Sequence, residues 1–200
     1  MFYRRKILLS LLQIFGSELD KVSFQKLLML FSKNQSNPDF NFVPYKFGCF
    51  SFQANADMST MIKYGQVSEN DRKWKKLDKE DYLPLLKETD RKSLVKLKTL
   101  YSGKSKDDLI RFTYTEYPYY AINSTIAKNV LSANEYFAVE SAKPAFGSTV
   151  LFTIGYEGIS LEEYLNKLIL NRVKLLCDVR KNSLSMKYGF CKSQLRKACE

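Results

Sequence analysis

Apolar residues recur at helical spacing in three successive stretches near the start of the chain. Ile7, Leu8, Leu11, Leu12 and Phe15 stripe one face of residues 4–15, and Gly16 closes that stretch. Asp20 or Ser23 caps a second helix whose apolar positions are Phe24, Leu27, Leu28, Leu30 and Phe31. Residues 34–40, with Pro38, read as a loop, and 40–47 as a short extended segment ending at Gly48. Ser51 opens a third helix with Ala54, Met58, Met61 and Ile62 inside, and Gln53, Asn55, Ser59, Thr60 and Lys63 on its outer side; Gly65 stops it.

The pattern then loosens. Residues 70–79 read as a charged connector holding Trp74. Residues 81–101 read as a helix with a break near Thr89-Asp90, followed by a Gly/Ser/Lys turn and a short helix over 107–114. The aromatic run 115–120 is a core seam or, beside its basic neighbours, a stacking surface for nucleobases, and the core reading is preferred. Another short helix covers 123–131, and 132–148 has the small and turn residues of a linker.

From Thr149 the pattern changes. An apolar run closes at Gly155 and Gly158. Leu161, Tyr164, Leu165, Leu168 and Ile169 then fall at i, i+3, i+4, i+7 and i+8, behind a Ser160/Glu163 capping box. A second short apolar run spans 173–179. Strand, helix, strand in this order predicts two parallel strands joined by a crossover, with chemistry beyond their carboxyl ends. Those positions hold Tyr156 and Glu157 after the first run, and Asp178, Arg180 and Lys181 after the second. The expected fold class is α+β: a mainly helical domain over 1–131, a linker over 132–148, and an incomplete α/β domain over 149–200.

Charge and composition narrow the chemistry. The net charge is +11, of which +4 falls from Thr149 onward, and this favours acidic partners, nucleic acid first. The chain has no histidine, which removes Ser-His and Cys-His catalysis and His metal ligands. Cys49, Cys177, Cys191 and Cys199 form no CxxC pair, so no zinc site is expected and free thiols in a cytosolic location are. The basic and then apolar N-terminus imitates a signal peptide, but Gln13 breaks the run and no cleavage site follows, so it reads as a core helix. No stretch approaches membrane-spanning length.

Two helices, an extended turn and a third helix resemble a winged-helix unit. In such a unit Gln53, Asn55, Ser59 and Lys63 would face DNA or RNA; the competing reading is a wet helix face. Residues 153–158 (TIGYEG), 160–165 (SLEEYL) and 178–192 (DVRKNSLSMKYGFCK) are similar to the domain-of-unknown-function 488 family, whose last motif runs DVRKNPLSRKYGFSK. Residues 23–30 and 44–51 more loosely resemble the Panacea antitoxin domain, with its KLQKLLFL helix and PYKYGPYS turn.

The first resemblance implies an α/β domain acting on nucleic acid or nucleotides. Tyr156, Glu157, Asp178, Arg180, Ser185 and Lys187 are its matching polar positions. Glu157 or Asp178 would be base or metal ligand, and Arg180 or Lys187 a phosphate clamp; alternatively Asp178 and Arg180 pair and fix the loop. Ser183, Met186 and Cys191 depart from the family pattern, and family members continue through further strands. The expectation is therefore an α/β unit completed by a second copy, a protein partner or another segment. The second resemblance implies an antitoxin-like interaction module without catalysis.

Overall fold

The computed structural model describes residues 1–145 and 147–200. It is α+β, and it divides into two compact units, Met1–Ala142 and Lys143–Glu200.

The first unit begins with α1 (Tyr3–Ile14), β1 (Glu18–Asp20) and α2 (Lys21–Ser32). Gly16 and Ser17 take φ of 94° and 67° to turn the chain from α1 into β1. Asp20 caps α2 by accepting from the Val22 and Ser23 amides. A hairpin of β2 (Val43–Tyr45) and β3 (Gly48–Phe50) follows, then α3 (Phe52–Lys63), capped by Ser51. A second hairpin joins β4 (Val67–Asn70) to β5 (Lys73–Lys76). These strands form an antiparallel sheet of order β1-β5-β4, with Leu19 opposite Trp74 and Trp74 opposite Glu69.

Residues 70–79, expected as a connector, thus hold the last residue of β4 and the whole of β5. Lysines hid it: Lys73 and Lys75 point outward while Trp74 and Lys76 are buried. Lys76 keeps its ammonium inside by pairing with Asp78 at 2.7 Å and donating to the carbonyls of Asp78 and Glu80. The helix expected over 81–101 is α4 (Glu88–Tyr101), preceded by a 3-10 turn at Leu83–Leu85.

The unit closes with α5 (Lys106–Glu116), a 3-10 turn at Pro118–Ala121, α6 (Ala127–Val130) and α7 (Ala133–Ser141). Residues 132–148, expected as a linker, begin instead with α7, because Ser132 and Glu135 form a capping box and Arg111 of α5 grips Glu135 with two nitrogens. Residue 146 of that stretch lies outside the described residues. The core of the unit gathers Ile7, Leu8 and Leu11 of α1, Phe24 and Leu28 of α2, Met58 of α3, and Trp74. Tyr120 of the aromatic run packs against this core, Tyr114 beside the run is buried in a second cluster with Ile110 and Ala121, and burial pushes both phenols up to about 12.

In the second unit, α8 (Leu161–Leu170) starts at the expected Ser160/Glu163 capping box, and α9 (Lys192–Cys199) follows. Leu161, Tyr164, Leu165, Phe190 and Leu195 are buried. Residues 149–154 and 173–179 carry no regular secondary structure and join no sheet among the described residues. The physical reason is that a two-stranded parallel sheet is not stable by itself. Several of their apolar side chains stand in solvent, with Leu151 94% exposed, Leu175 84% and Val179 88%, while Ile154, Val173 and Leu176 are half-buried. No helix among the described residues is long and apolar enough to cross a membrane.

Candidate functional sites

In the first unit, α3 carries four residues expected to meet nucleic acid, and the structure separates them. Gln53 is half-buried and donates to the Asp57 carboxylate at 3.2 Å. Asn55 is half-buried too. Ser59 is exposed, with its hydroxyl donating back to the Asn55 carbonyl at 3.0 Å. Lys63 is exposed in the last turn and forms no ion pair among the described residues. Ser59 and Lys63 therefore share the outward face, while Gln53 serves α3 itself.

Asp57 is the residue that sequence reasoning missed. It falls one position before Met58 on the inner face and is buried. Arg4 donates to it through Nε at 2.5 Å and Nη2 at 3.3 Å, and Arg5 through Nε at 2.7 Å. The Phe2 ring lies beneath both guanidiniums, at 4.8 and 5.2 Å. A buried carboxylate needs such donors, and here they tie α3 to the start of α1. The acid inside an apolar stripe of α3 was visible in the sequence, but its partners stand in the first turn of α1, more than fifty positions away.

A second missed feature joins the two stretches that resemble Panacea. Lys26, fully buried on α2, donates to the Phe47 carbonyl in the β2–β3 turn and lies 3.5 Å from the Cys49 sulfur. Its neighbour Gln25 accepts from the Ser51 amide at 2.9 Å and donates to the Ser51 carbonyl at 3.4 Å. Burial lowers the Lys26 ammonium from its ordinary range and raises the Cys49 thiol. Gly48, at φ 87°, passes so close that a Cβ there would sit 2.4 Å from the Tyr114 ring and 2.6 Å from Lys26 Nζ.

Above this clamp, the same unit holds a groove of about 660 Å³. The start of α2, the β2–β3 hairpin, the β4–β5 turn and the start of α5 bound it, and Asn55 of α3 reaches its edge.

In the second unit, Tyr156, Asp178, Arg180 and Lys187 come together. Arg180 grips Asp178 with Nε at 2.7 Å and Nη2 at 2.6 Å, and gives Nη1 to the Phe190 carbonyl at 2.8 Å. The guanidinium lies 5.2 Å over the Tyr156 ring, which stacks on Phe190 at 4.8 Å. Lys187 donates to the Tyr156 carbonyl at 2.8 Å. The arginine's fork holds the Asp178 carboxyl down to about 2, and the carboxylate raises Arg180 in turn.

This geometry limits the chemistry. A carboxylate with so low a pKa is a weak proton acceptor at neutral pH. With three of its five N–H groups engaged, Arg180 fixes its loop rather than presenting a free clamp. Lys187 keeps two N–H groups beyond its bond to Tyr156. Glu157 is exposed and has no hydrogen-bond or ion-pair partner among the described residues. Ser185 accepts from the Lys187 amide at 3.2 Å, shaping the turn. Among the described residues no group of three or more Cys, Asp or Glu is placed to hold a metal ion. No protein-family model, no curated protein and no solved structure matches this chain.

Proposed function

We propose that the first unit is a winged-helix-like module that binds DNA or RNA, and that the second is an α/β effector unit it carries. The observation that carries the reading is the topology of α1, β1, α2, α3 and the β4–β5 hairpin, with a sheet of order β1-β5-β4. In a winged helix the late helix lies beside such a hairpin, and both approach the duplex. Here that helix presents Ser59 and Lys63, and the hairpin turn presents Arg72. The net charge of +11 supplies the long-range attraction. A cytosolic location belongs to the same reading, in keeping with four free cysteines.

For the second unit, the reading follows the resemblance of 153–158 and 178–192 to the domain-of-unknown-function 488 family. Residues 149–154 and 173–179 would pair as parallel strands once a strand from a second copy, a partner or another segment lay beside them. Lys187 is the phosphate contact this reading favours, since it retains free donors.

One observation favours a second reading, an antitoxin-like interaction module. The two stretches on which that resemblance rests are joined directly, by Lys26 to Phe47 and by Gln25 to Ser51.

Fluorescence anisotropy with labelled duplex DNA and single-stranded RNA separates the two. Nucleic-acid binding should weaken linearly in log affinity against log salt, and Lys63→Ala should lower that slope by about one. Absence of binding to either at low salt removes the nucleic-acid reading and leaves the interaction module.

A further inference from the structure

We infer that the groove between α2, the β2–β3 hairpin and the β4–β5 turn is a binding site for a small organic anion with an aromatic or apolar body. Three independent observations carry it, and none depends on nucleic-acid binding.

The first is size and wall chemistry. A volume of about 660 Å³ is that of a small-molecule site. Tyr45, Phe47, Phe50, Trp74 and Ile110 supply flat and apolar walls, and Phe47 remains 49% exposed at the hairpin turn. A ring system entering here meets ring faces and edges.

The second is charge. Among the described residues around the groove, Lys21, Lys26, Lys46, Arg72 and Lys106 outnumber Asp20, Asp71 and Asp107. Two of the lysines already have acids: Lys21 pairs with Glu69, and Lys106 with Asp20 at 3.6 Å. Lys46 and Arg72 are exposed at the rim and pair with no carboxylate among the described residues.

The third is Lys26, buried under the groove floor. Its ammonium has a carbonyl, a thiol and, at 5.5 Å, the Tyr114 ring for company, but no carboxylate among the described residues. A buried cation without a counter-charge is costly. An anion seated above the floor would offset that cost through a low-dielectric layer, where charges act strongly on one another. Burial already lowers the Lys26 ammonium, as expected of a cation lacking that counter-charge.

The test uses the full chain and a probe that emits on binding, 8-anilinonaphthalene-1-sulfonate, an aromatic anion. The sole tryptophan, Trp74, stands in the groove wall and reports occupancy by quenching. The expected result is saturable quenching at one probe per chain. Binding should fall at least about tenfold in the double variant Lys46→Glu with Arg72→Glu. The uncharged analogue N-phenyl-1-naphthylamine should bind at least about tenfold more weakly than the sulfonate. If circular dichroism shows that the charge reversal disturbs folding, Lys46→Gln with Arg72→Gln gives the same comparison with a smaller loss. Absence of Trp74 quenching, equal binding of the uncharged analogue, or probe affinity unchanged in the folded variants would each overturn the inference. Lys63→Ala, which tests nucleic-acid binding, should leave probe affinity unchanged, so the two readings fail separately.

Discussion

Lys26 reaches from the middle of α2 to the Phe47 carbonyl and there closes the β2–β3 turn from below. This bond holds the turn against a helix, in a place where no carboxylate among the described residues serves the ammonium. Lys26→Ala takes the donor from the Phe47 carbonyl and leaves a cavity where the buried stem stood, so it should destabilise the chain by about 3 kcal/mol. Lys26→Met, which keeps the stem and removes the desolvated charge, should cost clearly less. Urea unfolding of the two variants measures the difference; equal losses would show that the charge matters little.

Gly48 and Gly16 both have positive φ, but only Gly48 is crowded. Gly16→Ala should cost about 1 kcal/mol, from backbone strain alone. Gly48→Ala adds a collision with the Tyr114 ring and should cost about 3 kcal/mol. Thermal unfolding by calorimetry compares them, and a milder effect at Gly48 would contradict the packing.

Asp57 gathers Arg4, Arg5 and Gln53 on α3. Asp57→Ala leaves two partly buried guanidiniums without their acid and should destabilise by about 3 kcal/mol. Either arginine alone replaced by Ala should cost less, since the other still serves the carboxylate. A double-mutant cycle across Asp57 and Arg5 should show positive coupling. Additive effects would mean that the pair is incidental.

Asp178 titrates near 2 in the folded chain against an ordinary 3.8. A depressed carboxyl stabilises the fold above its unfolded value and loses that contribution as pH falls through the folded one. The second unit should therefore weaken between about pH 4 and pH 2. Carboxyl NMR of Asp178 should give the low midpoint, and Arg180→Gln should return it towards the ordinary value. A midpoint already near 4 in the unaltered chain would remove the pair.

Helices were readable from the sequence where a single face is apolar, as in α1, α2 and α8. Their caps, Asp20 and Ser160, were readable too. The strand at Lys73–Lys76 was not, because lysine stems can be buried while their heads reach polar groups, and the letters alone read as charge. Ser132 carried a capping box that distinguished α7 from a linker, yet the small residues around it masked the signal. The pairing of Asp178 with Arg180 was one of two readings that the sequence left open. The joining of Arg4 and Arg5 to Asp57 was not readable, because it spans more than fifty positions and depends on how α1 crosses α3.

The clamp on the β2–β3 hairpin bears on how this protein can associate. The carbonyls of Pro44 and Lys46 on one rim accept from Asn123 and Thr125, while those of Phe47 and Ser51, and the Ser51 amide, are taken by Lys26 and Gln25. A foreign strand arriving at this ribbon finds these hydrogen-bonding positions already filled. Fibril growth by edge addition is thereby opposed at the hairpin for as long as α2 stays docked.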